Sequence, residues 1–288
     1  MVRERILVGG PSGAGKTYSF LKIVEHLSGG HHIAIEIDDG FTRMLELEFP
    51  DLKASIFDLT DAGWSARPGM MHGTSLRVFH CSEFGAVRLA QVEIEASVAR
   101  GDCTNADWVC IDGLDLIYNM QRQEYVTKAS PAMRDIPGKD AWEAALERRA
   151  AGAPILEPAD WDAIHSFWEP MLSYFSFQIP MHFYATTAVE VIDPTSKYVS
   201  KEARELAKQL GIDIKFEGQK RAPRNFDTLM CLRSDAQGHY ASIFKDRGGH
   251  GREWAKLVRD GQQAQSITWT CNDFYSDVGV KLFGWATT

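Results

Sequence analysis

The most chemically specific stretch of the chain is Gly10-Pro11-Ser12-Gly13-Ala14-Gly15-Lys16-Thr17. A glycine, four residues, then Gly-Lys-Thr makes a phosphate-binding loop when an apolar strand leads into it and a helical pattern leaves it. Ile6, Leu7 and Val8 precede it here, and a helix-like pattern runs from Lys16 to Leu27. Glycines at 10, 13 and 15 open backbone conformations closed to residues with a Cβ, so successive amides can turn inward around an anion. The start of the following helix adds its unpaired amides and its dipole. Lys16 then reaches the β and γ phosphates, and the Thr17 hydroxyl is one oxygen ligand of Mg²⁺. The expected ligand is ATP, since no guanine-reading Asn-Lys-x-Asp occurs in the sequence. Tyr18 is placed to stack on the base, with helix packing as its other use. The alternative for the whole stretch is a glycine-rich turn between a strand and a helix.

A phosphate loop needs a carboxylate to hold the water shell of the metal. Trp108-Val109-Cys110-Ile111-Asp112 is an apolar run ending in an acid, the form of a buried parallel strand whose last residue faces a nucleotide, so Asp112 is the candidate. Its other reading is a cap on the next helix, and Asp115 reads as a helix-start residue. Hydrolysis also needs a group that orients or deprotonates water. Glu36, Asp38 and Asp39 end the strand after the first helix; Glu36 and Asp38 share a face, and Asp39 is the expected turn cap. Asp38 is the favoured base and Glu36 the second candidate, against a solvated acidic loop.

The elements that must position these groups alternate between strand and helix. After 6–8 and 16–27 come a strand within 31–40 that ends in acids and a short one at 54–59, while 60–75, rich in Gly, Pro and Ser, reads as a loop. A strand and a four-turn helix fill 75–102, and the Asp112 strand follows. Residues 119–151, charged and Ala-rich, read as helices outside the core, then an aromatic helix, a buried strand over 179–191, and a hairpin turning at 235–238. Such alternation predicts an α/β fold, a mostly parallel sheet with helices on both faces and ligands at the carboxyl ends of the strands.

The order of phosphate loop, "IEIDDG", "WVCID", "FYATT" and a hairpin ending "FKDRGG" resembles the RecA-like P-loop ATPases, in particular the small phage-encoded ATPases of single-strand annealing and recombination. The resemblance implies a RecA-like core over 1–260 with a helical insertion near 119–160, and leaves 261–288 as an unassigned C-terminal extension. It implies Mg²⁺-dependent ATP hydrolysis in a homo-oligomer with a shared nucleotide site. It carries a γ-phosphate sensor onto Thr186 or Thr187, with Thr187 preferred, and a pair that enters the neighbouring subunit's site onto Lys245 and Arg247, otherwise a solvated strand end. The family's Asp-x-Glu-Gly is here Glu36-Ile37-Asp38-Asp39-Gly40. Single-stranded DNA is expected on the loop 193–224, through Lys215, Lys220, Arg221 and Arg224, with Phe216 stacking a base. A DNA-translocating motor component and a small-molecule kinase are the other readings of the same loop.

Composition is that of an ordinary globular chain of 288 residues, 44% hydrophobic and 24% charged. The absence of an eighteen-residue apolar run and of a signal-peptide pattern predicts a cytoplasmic protein without a membrane partner. Five scattered cysteines predict reduced, buried thiols, and the spacing of the nine histidines implies no metal beyond the nucleotide's Mg²⁺. Net charge is −8, yet residues 200–260 carry thirteen basic against nine acidic side chains, so a polyanion would meet the C-terminal third.

Overall fold

The computed structural model describes residues 3–60, 62–71, 75–128, 147, 150, 156, 158–191, 214–236, 238–246, 273–281 and 283–286. Among them the strands are β1 (Arg5–Gly9), β2 (His32–Glu36), β3 (Ala54–Thr60), β4 (Gly63–Met71), β5 (Leu76–Cys81), β6 (Trp108–Ile111), β7 (His182–Thr187), β8 (Val189–Val191), β9 (Ile214–Phe216), β10 (Thr228–Asp235) and β11 (Gly238–Asp246). The helices are α1 (Lys16–His26), α2 (Gly40–Glu48), α3 (Phe84–Arg100), α4 (Leu114–Lys128) and α5 (Pro158–Ser173).

Nine strands form one sheet in the order β11-β10-β1-β7-β6-β2-β5-β3-β4. Every inner pairing is parallel, and only the two rims, β11 on β10 and β4 on β3, are antiparallel. The central strands are apolar on both sides because both faces are covered. Leu7, Ile33, Ile35, Val109 and Ile111 meet residues of α3, α4 and α5 on one face. Ile6, Val8, Ala34, Cys110 and Tyr184 meet α1, α2 and the C-terminal aromatics Phe274, Tyr275, Phe283 and Trp285 on the other. This is the α/β architecture expected from the sequence, C-terminal hairpin included.

Three local expectations are corrected. Residues 63–71 form the edge strand β4, where a loop was expected. The chain reverses between Thr60 and Gly63, and Trp64 meets Phe57 edge-on with ring centroids 5.4 Å apart. A rim strand tolerates the Pro and Gly that suggested a loop, since one side of it needs no partner. The strand expected over 179–191 breaks at Ala188: β7 stays in the large sheet, while β8 pairs with β9 in a separate two-stranded sheet. The stretch starting at Asn119 is partly core, because α4 runs to Lys128 and buries Gln121 and Val126.

At the amino ends of the strands, two buried histidines serve as hydrogen-bond acceptors. His182 Nδ1 accepts from the Glu4 amide at 2.9 Å, and His32 Nδ1 from the Trp108 amide at 3.0 Å. Both must be neutral to do so. Burial lowers the pKa of each, that of His182 to about 4 with help from the Arg3 charge. A depressed folded-state value means stability that is full above the ordinary histidine pKa and is lost as pH falls from there towards about 4. Between pH 7.5 and 4.5, urea unfolding should therefore show the parent losing up to about 3 kcal/mol more than His182→Gln, whose amide oxygen can still accept. Parallel losses in the two proteins would refute this. The thiols of Cys81, Cys103, Cys110 and Cys231 are free and buried, and burial raises the pKa of each.

Candidate nucleotide site

Parallel register brings the sequence candidates together. Cys110 lies opposite both Tyr184 and Ala34, Glu36 opposite His80, and Asp58 opposite His80. Continuing two residues along each strand puts Thr186, Asp112, Glu36, His80 and Asp58 in one row at the carboxyl ends of five neighbouring strands. Side chains alternate along a strand, so all five point to the face that carries α1 and α2.

The phosphate loop joins β1 to α1 beside one end of this row. Gly13 and Gly15 have φ of 77° and 85°, left-handed values that a Cβ disfavours, which explains glycine at both. At Gly10 a Cβ would stand 2.5 Å from the Leu232 carbonyl oxygen, so the loop's first glycine is needed for close approach to β10. Lys16 Nζ donates to the carbonyls of Gly10 and Pro11 at 2.7 and 2.9 Å, and burial lowers its pKa against the fields of Asp112, Asp115 and Asp38. Pro11 and Ser12 are exposed on the loop's crest and Ala14 is buried beneath it.

Asp112 is the centre of the arrangement. Its Oδ2 accepts from the Thr17 hydroxyl at 2.9 Å and its Oδ1 from the Thr186 hydroxyl at 2.5 Å, while Thr186 accepts from the Gly113 amide at 2.8 Å. Burial raises the Asp112 pKa even though both hydroxyls favour the carboxylate. A buried carboxylate beside a threonine hydroxyl, at the start of a helix that follows a phosphate loop, is the hard oxygen donor set that suits Mg²⁺. Thr17 and Asp112 would hold that ion, which when bound neutralises phosphate charge.

Thr186, not the preferred Thr187, meets Asp112. The alternation of β7 turns Thr187 to the opposite face, where its hydroxyl donates to the Glu217 and Ala188 carbonyls at 3.2 and 3.3 Å. Asp38 is exposed and close enough for its charge to act on both Lys16 and Asp112. It is Asp38, not Asp39, that caps the turn, accepting from the Gly40 amide at 3.1 Å. Glu36 is fully buried, and both of its oxygens accept from Thr42, one from the amide at 2.9 Å and one from the hydroxyl. Asp115 sits in the first turn of α4 and accepts from the Ala188 amide at 3.2 Å.

A cavity of about 420 Å³ opens against the loop, lined by Gly13, Tyr18, Met44, Glu48, His239 and Tyr240 among others. Tyr18 borders it and also packs on Phe49, with ring centroids 5.2 Å apart. A larger groove of about 800 Å³ lies elsewhere, between α5 and the 3₁₀ turn Ala222–Asn225; Arg221 and Arg224 are on its wall. Lys220 is exposed nearby. Lys215 is paired across the small sheet with Glu190 at 3.0 Å. Phe216 is not on an open surface, because its ring packs under the phosphate-loop strand, where a Cβ on Gly9 would come within 2.6 Å of it. The side chains of Lys245 and Arg247 lie outside the described residues.

No helix among the described residues is long and apolar enough to cross a membrane. No protein-family model matches the chain, and no curated protein matches it. Among solved structures it is similar to a prototypical ATPase from the type III secretion system of pathogenic bacteria, at 13% identity and a TM-score of 0.40, covering 80% of this chain and 51% of that one. It is similar also to the assembled ATPase EscN from the type III secretion system of enteropathogenic E. coli, at 14% identity and a TM-score of 0.40, covering 80% and 43%. The chain thus spans about half the length of these proteins.

Proposed function

We propose that the chain is a Mg²⁺-dependent ATPase of the RecA-like class. The observation that carries this reading is the meeting of Thr17, Asp112 and Thr186 at the phosphate loop. Lys16 and the loop amides hold the phosphates, Asp112 and Thr17 orient the metal's shell, and Thr186 reports the γ-phosphate. Asp38, exposed within the field of Lys16 and Asp112, accepts the proton of the attacking water. The 420 Å³ cavity beside Tyr18 takes the base. Lys245 and Arg247 complete a neighbouring subunit's site in an oligomer.

Single-stranded DNA, in a phage-type recombination or annealing process, is the partner we propose for Lys220, Arg221 and Arg224. Phe216 is packed and Lys215 is paired at 3.0 Å, while Arg221 stands 3.9 Å from the exposed Glu169, a loose pair that a phosphate can replace, so Lys220, Arg221 and Arg224 carry the backbone contact.

One experiment tests these parts separately: ATP hydrolysis against protein concentration, with and without Mg²⁺ and single-stranded DNA. Asp38→Asn, Arg247→Ala and Arg221→Ala/Arg224→Ala are run beside the parent. Hydrolysis should require Mg²⁺, and Asp38→Asn should lose about 10²-fold or more. The rate per subunit should rise with concentration and fall in Arg247→Ala, and DNA stimulation should vanish in the double variant. A parent without Mg²⁺-dependent turnover under every condition overturns the ATPase reading. Turnover indifferent to DNA overturns only the DNA assignment.

A further inference from the structure

The row of polar side chains continues past the nucleotide site into a second cluster that hydrolysis does not use. Glu36, Asp39 and His80 converge there, with ligating atoms all within 4.8 Å of one another. Glu36 and His80 face each other across β2 and β5. Asp39 reaches over from the turn after β2.

His80 Nδ1 is enclosed and has no hydrogen-bond partner. It stands 3.7 Å from Glu36 Oε1 and 3.5 Å from Asp39 Oδ1. Those separations are too long for hydrogen bonds. They are close to the spacing of about 3.4 Å between two donors of a tetrahedral ion bound at 2.0–2.1 Å. The outer partners are those a metal ligand needs: Thr42 holds both Glu36 oxygens, and Arg67 spans Asp39 and Asp58 at 3.0 and 2.7 Å. Charge points the same way. Arg67 answers Asp39 and Asp58, while Glu36 is fully buried with no cationic side chain among the described residues bonded to it, and burial raises its pKa, so its ionised form needs a cation beside it. A bound divalent cation supplies that charge.

We propose that Glu36, Asp39 and His80 bind one divalent transition-metal ion of the zinc class, separate from the Mg²⁺ at Thr17 and Asp112. One imidazole with two carboxylates selects Zn²⁺ over Mg²⁺, which takes oxygen donors in octahedral geometry. The exposed side of Asp39 admits a water as fourth ligand. The ion ties the end of β2 to the end of β5 and so clamps the turn 37–39. Asp38 lies on that turn, and the significance of the clamp for hydrolysis rests on the ATPase reading. The site itself does not.

The test uses tag-free, metal-stripped full chain without nucleotide or Mg²⁺, titrated with Co²⁺. One equivalent should give the visible absorption of a tetrahedral ion without an intense near-ultraviolet thiolate band, and Zn²⁺ should displace it. Hydrogen exchange of the amides at 37–40 should slow when Zn²⁺ is added. His80→Ala should abolish the visible band, and Asp39→Asn should weaken binding about tenfold or more, while Lys16→Ala should bind like the parent. Asp39→Asn keeps the decision open should His80→Ala fail to fold, because position 39 is exposed and asparagine accepts its φ of 56°. No visible band, a thiolate band, or parental binding in Asp39→Asn would each overturn the site. Since no nucleotide is present, failure of the ATPase reading leaves this result untouched.

Discussion

Lys16→Ala should lower ATP turnover by about 10²–10³-fold or more, the usual cost of removing one preorganised donor from a developing charge. The ammonium is half-buried at the mouth of the loop, and its present acceptors are the loop's own carbonyls at Gly10 and Pro11. A phosphate group offers it a charged acceptor in their place, which makes a shorter and stronger bond. The fold should hardly notice. Among the described residues the Lys16 ammonium donates only within the loop, and Thr17, Asp112 and Thr186 keep their mutual bonds, so the Tm should move by no more than about 2–4 °C. Steady-state hydrolysis with a thermal melt on the same sample checks both halves. Parental turnover in a folded Lys16→Ala protein would place the chemistry away from this loop.

Asp112→Asn should separate function from stability in the opposite sense. Hydrolysis should be lost to a degree comparable with Lys16→Ala, because the carboxylate is the buried negative group beside the Thr17 hydroxyl. The ligand-free protein should become more stable at neutral pH. Burial raises the Asp112 pKa, so the folded chain holds this proton more tightly than the unfolded chain. Stability from this group is therefore present below the ordinary aspartate pKa and is lost as pH rises through the raised folded value. Asparagine is neutral at every pH and escapes that cost. Its amide can still accept from one threonine and donate to the other, since a hydroxyl rotates to suit. Each kcal/mol regained should read as about 2–4 °C in Tm near pH 7, and the gain should shrink as the pH is lowered. A less stable Asp112→Asn protein at pH 7 would show that the two hydroxyl bonds outweigh desolvation.

Much of this arrangement was legible because its causes are local. Glycines at 10, 13 and 15 answer to backbone conformation and close approach, and the run into Asp112 answers to a strand buried on both faces. Which threonine faces Asp112 could have been read from parity alone. Tyr184 and Thr186 alternate together, and an aromatic on the α1 face places Thr186 there with it. Three features depend on contacts with another stretch of chain and left weaker traces. β4 is a strand only because β3 offers it an edge. Phe216 reads as an available base-stacking ring until Gly9 is seen to leave room for it. The C-terminal aromatics carry no periodic signal, yet Trp285 Nε1 donates to Glu4 at 3.2 Å and its ring lies 5.2 Å from that of Trp108. The cluster at His80 did leave a trace: the strands at 32–36, 54–60 and 76–81 each carry one acid or histidine near the carboxyl end of an apolar run.

That shared row also limits how the chain can change in length. Thr186, Asp112, Glu36, His80 and Asp58 reach one face only because each strand brings its residue there in the same phase. Losing or gaining a single residue within β2, β5 or β6 would send that strand's polar group into the apolar layer beneath α3 and α4, and a core residue out in its place. Length variation is therefore tolerable in the connections and forbidden in five adjacent strands. For this chain the count of residues between the start of a strand and its last polar side chain is as much a part of the site as their identity.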